Sequence, residues 1–537
     1  MLLIVGIASL LFLPFLGGVH LFDWDEINFA ECAREMLVTG NYTQVQIDFQ
    51  PFYEKPPLFF WMQAAAMQMF GINEFAARFP NAVCGIITLL VVFYLGSRWF
   101  DNMLGVWWAL AYAGSFLPHF YFRSGIIDPW FNLFIFSSLV SLMRALEQRC
   151  TTSGILSGVL MGLAILTKGP VALLIGLLVA LPGAGVIKSN WRIAIKCIFL
   201  MILTALFLAA LWFGMDMIHH GMAFTKEFFR YQIRLFSTAD AGHSGPFYYH
   251  IIVLLLGCFP ASLLALPAFF RTDGSGESSH FRKWMILLFG VTLVLFSIVK
   301  TKIVHYSSLC YLPLTFLAAW HIHHTLTSGY NMPRFQQVAG MLMGSLFGIA
   351  AIALPLLGNH PDWIKPHLHD PFAVATLDAA VHWPVYLILP GLLYIMAVIT
   401  VFTLLQKNYK RAIGVLFVVS ALFTEALLYL HVPRIERYSQ GAAIDFYKSL
   451  AGKDVYVQVL GFKSYAHLFY TQKRPPVHAW VSDKNRLLAG DIDKEAYFVC
   501  KINKAGRYKK EYPSLQEIGR QNGFVFFKRL PARAFDK

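Results

Sequence analysis

Long apolar runs, broken by proline, glycine or short charged stretches, dominate the pattern of hydrophobic and polar positions along this chain. They lie near 2–21, 79–98, 103–121, 126–145, 153–167, 169–187, 194–215, 247–269, 283–299, 303–322, 336–357, 384–405 and 412–430. Helices of roughly 17 to 25 apolar residues cross a bilayer, so the pattern predicts about thirteen transmembrane helices. No internal repeat relates one half of them to the other, which weighs against a transporter built from inverted halves. From Glu436 the period shortens. Strands are predicted over 453–461, 475–480, 496–502 and 523–530, and helices over 464–472 and 514–522. The chain therefore divides into a transmembrane domain over 1–435 and a small soluble α/β domain over 436–537.

Charge sets the orientation. Lys and Arg fill every second connection: Arg98; Arg144 and Arg149; Lys188, Arg192 and Lys196; Arg271, Arg282 and Lys283; Arg334; Lys407, Lys410 and Arg411. The positive-inside rule makes those connections cytoplasmic. Loops 22–78, 216–246 and 358–383, and everything after 431, are then extracytoplasmic. The first apolar run has no preceding Lys or Arg and no small-residue cleavage site, and reads as a retained span. Composition agrees with a membrane protein: 57% of the 537 residues are hydrophobic and 14% charged, with a mean hydropathy of +0.55. A soluble chain carries about 25% charged residues. The net charge of +14 is spread over short loops, which fits topology and not a nucleic-acid partner. Seven scattered cysteines without a CxxC suggest neither a disulfide framework nor a thiolate metal site.

The first long loop departs from this economy of charge. Between Asp23 and Trp61 it holds Asp25, Glu26, Glu31, Arg34, Glu35, Asp48, Glu54 and Lys55. Part of it reads as a short amphipathic helix with Ile27, Ala30, Met36 and Leu37 on the apolar side. Pro56-Pro57 stops a helix from running through Glu54-Lys55, which leaves both charges on a turn ahead of Leu58-Phe59-Phe60-Trp61. Lys168, Lys300 and Lys302 sit at span ends on the same outer side, against the positive-inside rule, and ionisable groups so placed are functional candidates. Snorkelling to water is the alternative for each one.

WDEINFAECAREM (24–36) followed by YEKPPLFFW (53–61) resembles the first extracytoplasmic loop of the ArnT-like branch of the GT-C glycosyltransferases, which are related to protein O-mannosyltransferases. The likeness is strongest over 20–130 and looser to near 320. It implies a GT-C fold. It also implies transfer of a sugar from a polyprenyl-phosphate donor to an acceptor outside the membrane, with lipid A or another envelope glycolipid as the nearest analogy. Protein hydroxyls are the alternative acceptor, and the expected location is a bacterial inner membrane with the site facing the periplasm. A lipid-linked sugar flippase is the reading from another class. Charges gathered at one interface, with span interiors nearly free of them, favour surface chemistry instead.

Such a transfer needs a base for the acceptor hydroxyl and a cation for the departing phosphate. One carboxylate acting alone as base implies inversion at the anomeric carbon. The resemblance points to Asp25, with Asp23 and Glu26 within reach, and capping the helix that begins near Glu26 is the structural alternative. Asp128, ahead of Pro129, is either a helix start or a substrate contact. Lys55, Lys168, Arg230 or Arg234, Lys300 and Lys302 are candidate phosphate partners, and His305 and Tyr306 stand at the same boundary. The resemblance further implies a divalent metal such as zinc between Glu54 and His243, although zinc prefers three or four ligands.

Overall fold

The computed structural model describes residues 1–238, 244–271, 276–328, 332–405 and 407–531. Among them eight helices are long and apolar enough to cross a membrane, or nine if Tyr249–Gly257 and Ala261–Phe270, which meet at 117°, form one span. Leu2–Phe12 and Val171–Val186 are shorter apolar helices. Two further runs expected as simple spans are subdivided. The 103–121 run becomes Asn102–Ala113 and Phe116–Tyr121, and the 303–322 run opens as a tight 3-10 helix, Val304–Cys310, before Tyr311–Ser328. The outward faces keep their apolar residues exposed, as in Leu203, Phe207 and Leu211 of Trp191–His220. That is the surface a hydrocarbon solvent requires. Small residues bring helices together where two spans touch. A Cβ on Gly340, Gly344 or Gly348 of Arg334–Asn359 would come within 2.2–2.7 Å of Phe402, Val398 and Ile395 on the facing helix Leu389–Leu404.

The first outer loop is built into the protein. Its helix, Asp25–Thr39, is buried at every position from Glu26 to Met36, so the solvated face expected from an amphipathic helix is absent. The helix packs between the span bundle and the C-terminal region, in a core that joins Leu21, Ile27, Ala30 and Ala77 to Ala443, Tyr447, Val459 and Phe526. Charges buried there must be paired. The Arg34 guanidinium clasps Glu31 at 2.6 and 2.7 Å, and Arg78 clasps Glu26 at 2.8 and 2.9 Å. Burial and the neighbouring Glu31 push the Glu35 carboxyl up to about 9. Glu35 accepts the Phe49 N–H at 2.8 Å and so ties down the loop that leads to Glu54.

In the C-terminal region four strands lie in the order Tyr456–Leu460, Ala496–Lys501, Phe524–Arg529, Gln516–Gln521, the first pair parallel and the rest antiparallel. Three of these strands and the helix Ala466–Thr471 fall where the sequence pattern put them. The segment 514–522, expected as a helix, is instead the strand Gln516–Gln521. Asn522 and Gly523, at φ of 47° and 79°, turn it back onto Phe524–Arg529. Asn-Gly is the turn a tight hairpin favours, and it outweighs the helical spacing of Leu515 and Ile518. The expected strand 475–480 is irregular and leads into a short 3-10 turn, Ala479–Ser482; Pro475 and Pro476 remove the donors a ladder needs. The span that starts at Tyr409 runs helically to Ser449, so no break in the backbone falls at Glu436. Glu436 itself is buried against His20 at 3.0 Å.

Candidate active site

A cavity of about 1210 Å³ lies where the first outer loop, the span ends and the C-terminal region meet. Its wall combines Asp25, Glu54, Lys55, Asp128, Lys168, Arg234, His305 and Tyr306 with apolar residues of the spans, among them Leu117, Phe120, Val171, Leu174 and Phe296.

Asp25 and Asp128 reach it by the same device. Each is the first residue of a helix, Asp25–Thr39 and Asp128–Gln148, and neither side chain caps its own helix. A carboxylate in the first turn is favoured by the helix dipole while remaining free to face the cavity. Asp25 follows Trp24, which is held at φ 77°, ψ −110°, a backbone region costly for a residue with a Cβ. Asp25 is about 40% exposed and Asp128 is 3% exposed. Lys168, the last residue of Thr151–Lys168, places its ammonium 2.5 Å from Asp128 Oδ1. Acid at one helix start and base at another helix end each complement the local dipole. Gly169, at φ 101°, ends the lysine's helix, and a Cβ there would meet the Phe228 ring at 2.4 Å. His305 bridges the two carboxylates, with Nε2 at 3.6 Å from Asp25 and 3.9 Å from Asp128. The two acids are therefore unequal: Asp128 is neutralised by a direct lysine contact, and Asp25 is the more open.

Lys55 sits on the turn before Leu58–Phe70, with Pro57 at that helix's N-cap. Burial pulls its ammonium below the ordinary value of 10.5, against the opposing pull of Glu54 and Asp25. Its Nζ lies 5.0 Å from the Tyr231 ring, and the Arg234 guanidinium lies 5.1 Å from the same ring. Two cations thus converge on one tyrosine. Tyr231 and Arg234, three residues apart on Ala223–Ser237, share a helix face, which is the signal by which sequence reasoning could have found Tyr231. Tyr306 stands 5.2 Å from Lys168 Nζ.

Glu26 and Arg78 hold the floor. Glu26 accepts the N–H groups of Phe22 (3.0 Å) and Gly125 (2.5 Å), and Arg78 donates to the carbonyls of Leu16, Val19 and His20. Burial alone would raise the Glu26 carboxyl; Arg78 and those amides outweigh it and hold it below the ordinary range.

Three candidate phosphate partners do not line the cavity, and one of them, Arg230, is paired with Glu227 at 2.6 and 2.8 Å. Lys302 turns inward and donates to the carbonyls of Phe296, Ser297 and Val299 at 3.0, 2.6 and 2.6 Å, closing the end of the helix Glu277–Ile298. Lys300 is exposed and outside the cavity wall. A lysine at a span end can satisfy either a ligand or the orphaned carbonyls of its own helix, and Lys302 does the second. Of the implied metal pair, Glu54 lines the cavity and His243 lies outside the described residues. No group of three or more His, Cys, Asp and Glu side chains suited to a metal occurs among the described residues.

Residues 54–213 match the family model of dolichyl-phosphate-mannose-protein mannosyltransferase. The undecaprenyl phosphate-alpha-4-amino-4-deoxy-L-arabinose arabinosyl transferase of Edwardsiella ictaluri is 29% identical over 358 residues, 64% of each chain. Its counterpart in Pectobacterium carotovorum is 29% identical over 387 residues, 70% of this chain and 68% of that one. The matched stretch thus spans about two thirds of the length of these curated relatives. Among solved structures, ArnT from Cupriavidus metallidurans bound to undecaprenyl phosphate superposes with a TM-score of 0.78 at 18% identity, covering 99% of this chain and 98% of that one. Its apo form gives 0.74 at 19% identity, covering 98% and 97%. Over nearly its whole length the chain therefore has the fold of these ArnT structures, and its segment similar to the mannosyltransferase model carries Glu54, Lys55, Asp128 and Lys168.

Proposed function

We propose that this protein is an inverting glycosyltransferase of the bacterial inner membrane, which moves a sugar from a polyprenyl phosphate to an acceptor on the periplasmic side. Lipid A, or a similar envelope glycolipid, is the acceptor class this reading favours. The observation that carries it is the cavity wall: Asp25, Asp128, Lys55 and Arg234 share one chamber with apolar span residues. A donor with a hydrocarbon tail, an anionic phosphate and a sugar needs an apolar, a cationic and an acidic surface together. The ArnT relatives named for undecaprenyl-phosphate aminoarabinose transfer support both the carrier and an amino-pentose as donor sugar. The alternating basic loops support the periplasmic orientation.

Lys55 and Arg234 receive the phosphate; a cation at reduced dielectric holds it more strongly than one in water. The acceptor hydroxyl approaches the anomeric carbon from the opposite side, toward Asp25. Asp25 takes the hydroxyl proton as the acceptor oxygen bonds to the anomeric carbon. The bond from that carbon to the phosphate oxygen breaks, its electron pair leaves on the phosphate, and the two cations offset the added charge. His305 and Asp128 orient Asp25, with Lys168 fixing Asp128. A single displacement of this kind inverts the anomeric configuration. Incubating purified protein with a set of radiolabelled polyprenyl-phosphate sugars and lipid A tests the proposal. Label is expected in the glycolipid; label that remains wholly on the carrier, or appears on protein, would overturn the acceptor assignment.

A further inference from the structure

The reaction geometry just derived leaves one side of the cavity without an assigned task. Lys55 and Arg234, both over Tyr231, mark where the leaving phosphate sits. In an inverting displacement the acceptor comes from the far side, past Asp25. The residue before Asp25 is Trp24, 46% exposed and held at a positive φ of 77°. Facing it is Lys463, which comes from the turn after the strand Tyr456–Leu460 in the C-terminal region and also lines the cavity. Lys463 Nζ stands 5.3 Å from the Trp24 ring and 5.6 Å from the Tyr465 ring. It is exposed and forms no ion pair among the described residues. An ammonium set between two aromatic rings, with no carboxylate to satisfy it, is poised for an anion that arrives from outside.

The two sides of this mouth are fixed to each other. Asp23 lies beside Ser464, the neighbour of Lys463. The Asp23 N–H donates to Gln440 at 3.1 Å, Gln440 donates to the Leu21 carbonyl at 2.8 Å, and the Leu21 N–H donates to the Tyr470 hydroxyl at 2.8 Å. The C-terminal region thus does more than cover the first loop. It delivers a cation to the acceptor's approach.

We infer that Lys463, held by Trp24 and Tyr465, is an acceptor-recognition residue that binds a phosphate group on the incoming glycolipid headgroup. The inference rests on the proposed transfer for its direction of approach, but the contact itself is a binding event and needs no donor. The same ammonium would also meet the phosphate of an anionic bilayer lipid, and the test separates the two.

The parent protein and the variants Lys463→Ala, Lys463→Arg and Lys463→Glu are placed in nanodiscs, and binding of diphosphorylated lipid A is measured against lipid A stripped of its phosphates. In zwitterionic nanodiscs Lys463→Ala is expected to weaken the phosphorylated ligand by up to about fivefold, the upper end of what one exposed ion pair supplies. Lys463→Glu should weaken it further, and Lys463→Arg should stay near the parent. The dephosphorylated ligand should bind all four proteins alike. Equal affinity of parent and Lys463→Ala for the phosphorylated ligand, or no binding by the parent, overturns the inference. So does a difference that appears only when the nanodisc contains phosphatidylglycerol, which would assign Lys463 to the bilayer. Failure of sugar transfer with lysine-dependent binding intact would instead overturn the proposed function and leave this contact standing.

Discussion

Lys55→Ala removes a cation from a cavity whose nearby acidic groups, Glu54, Asp25 and Asp128, all act on it. A charge-assisted hydrogen bond to a phosphate contributes about 1.5–3 kcal/mol, roughly ten- to a hundredfold in affinity. The structure points to the upper end of that range. Lys55 is half-buried in the cavity wall, and its loss leaves Glu54 beside the incoming phosphate with its neighbouring positive charge gone. Arg234, beside the same Tyr231 ring, would hold what affinity remains. The assay is equilibrium binding of polyprenyl phosphate, without a sugar, to purified protein in detergent or nanodiscs. Lys55→Ala is expected to bind about a hundredfold more weakly. Lys55→Arg should recover part of the loss, since it keeps the charge on a larger, planar head. Parent-like affinity in Lys55→Ala would refute the phosphate assignment and reduce Lys55 to a partner of Glu54.

Lys302→Ala should lower the melting temperature, because three carbonyls lose their donor, while polyprenyl-phosphate binding stays within twofold of the parent; a tenfold loss of binding would return Lys302 to the site. Gly169→Ala forces a Cβ into the Phe228 ring at a backbone angle that disfavours it, a cost of about 2 kcal/mol or more. Its melting temperature and its carrier affinity should fall together, since Lys168 is the preceding residue; parent-like melting would contradict the packing described. Glu35 holds its proton up to about 9 in the folded protein, against an ordinary 4.5. The unfolded chain therefore releases a proton that the folded one keeps, and stability should decline as pH rises between those values. Glu35→Gln should flatten that decline in thermal melts taken from pH 5 to 9, and an unchanged slope would show that another group is responsible.

Much of the site was legible because its chemistry is carried by local sequence. Asp25 and the Glu54-Lys55 turn lie in one loop with a characteristic order, and Asp128 and Lys168 occupy span ends where topology makes charge conspicuous. The structure brings all of these to one cavity. What the sequence hid depends on long-range packing. Arg78 lies 52 positions from Glu26, and Lys463 lies 439 positions from Trp24, so no spacing reveals either pair. Lys302 shows the limit of the topological argument: a lysine against the positive-inside rule signals that something binds it, without saying that the partner is its own backbone. The helix Asp25–Thr39 misled for a similar reason. Its charged positions suggested a wet face, yet Glu31 and Arg34 neutralise each other in a dry interface with the C-terminal region. In the sheet, Asn522-Gly523 was a readable hairpin signal that helical spacing concealed.

The central claim is that Asp25 removes the acceptor proton, and single-turnover transfer by Asp25→Asn tests it most directly. Asparagine keeps the size and much of the hydrogen bonding but not the base. With donor and acceptor both saturating, transfer should slow by about 10² or more, while polyprenyl-phosphate binding and the melting temperature stay at parent levels. Transfer at the parent rate would contradict the account and move the base to another carboxylate of the cavity.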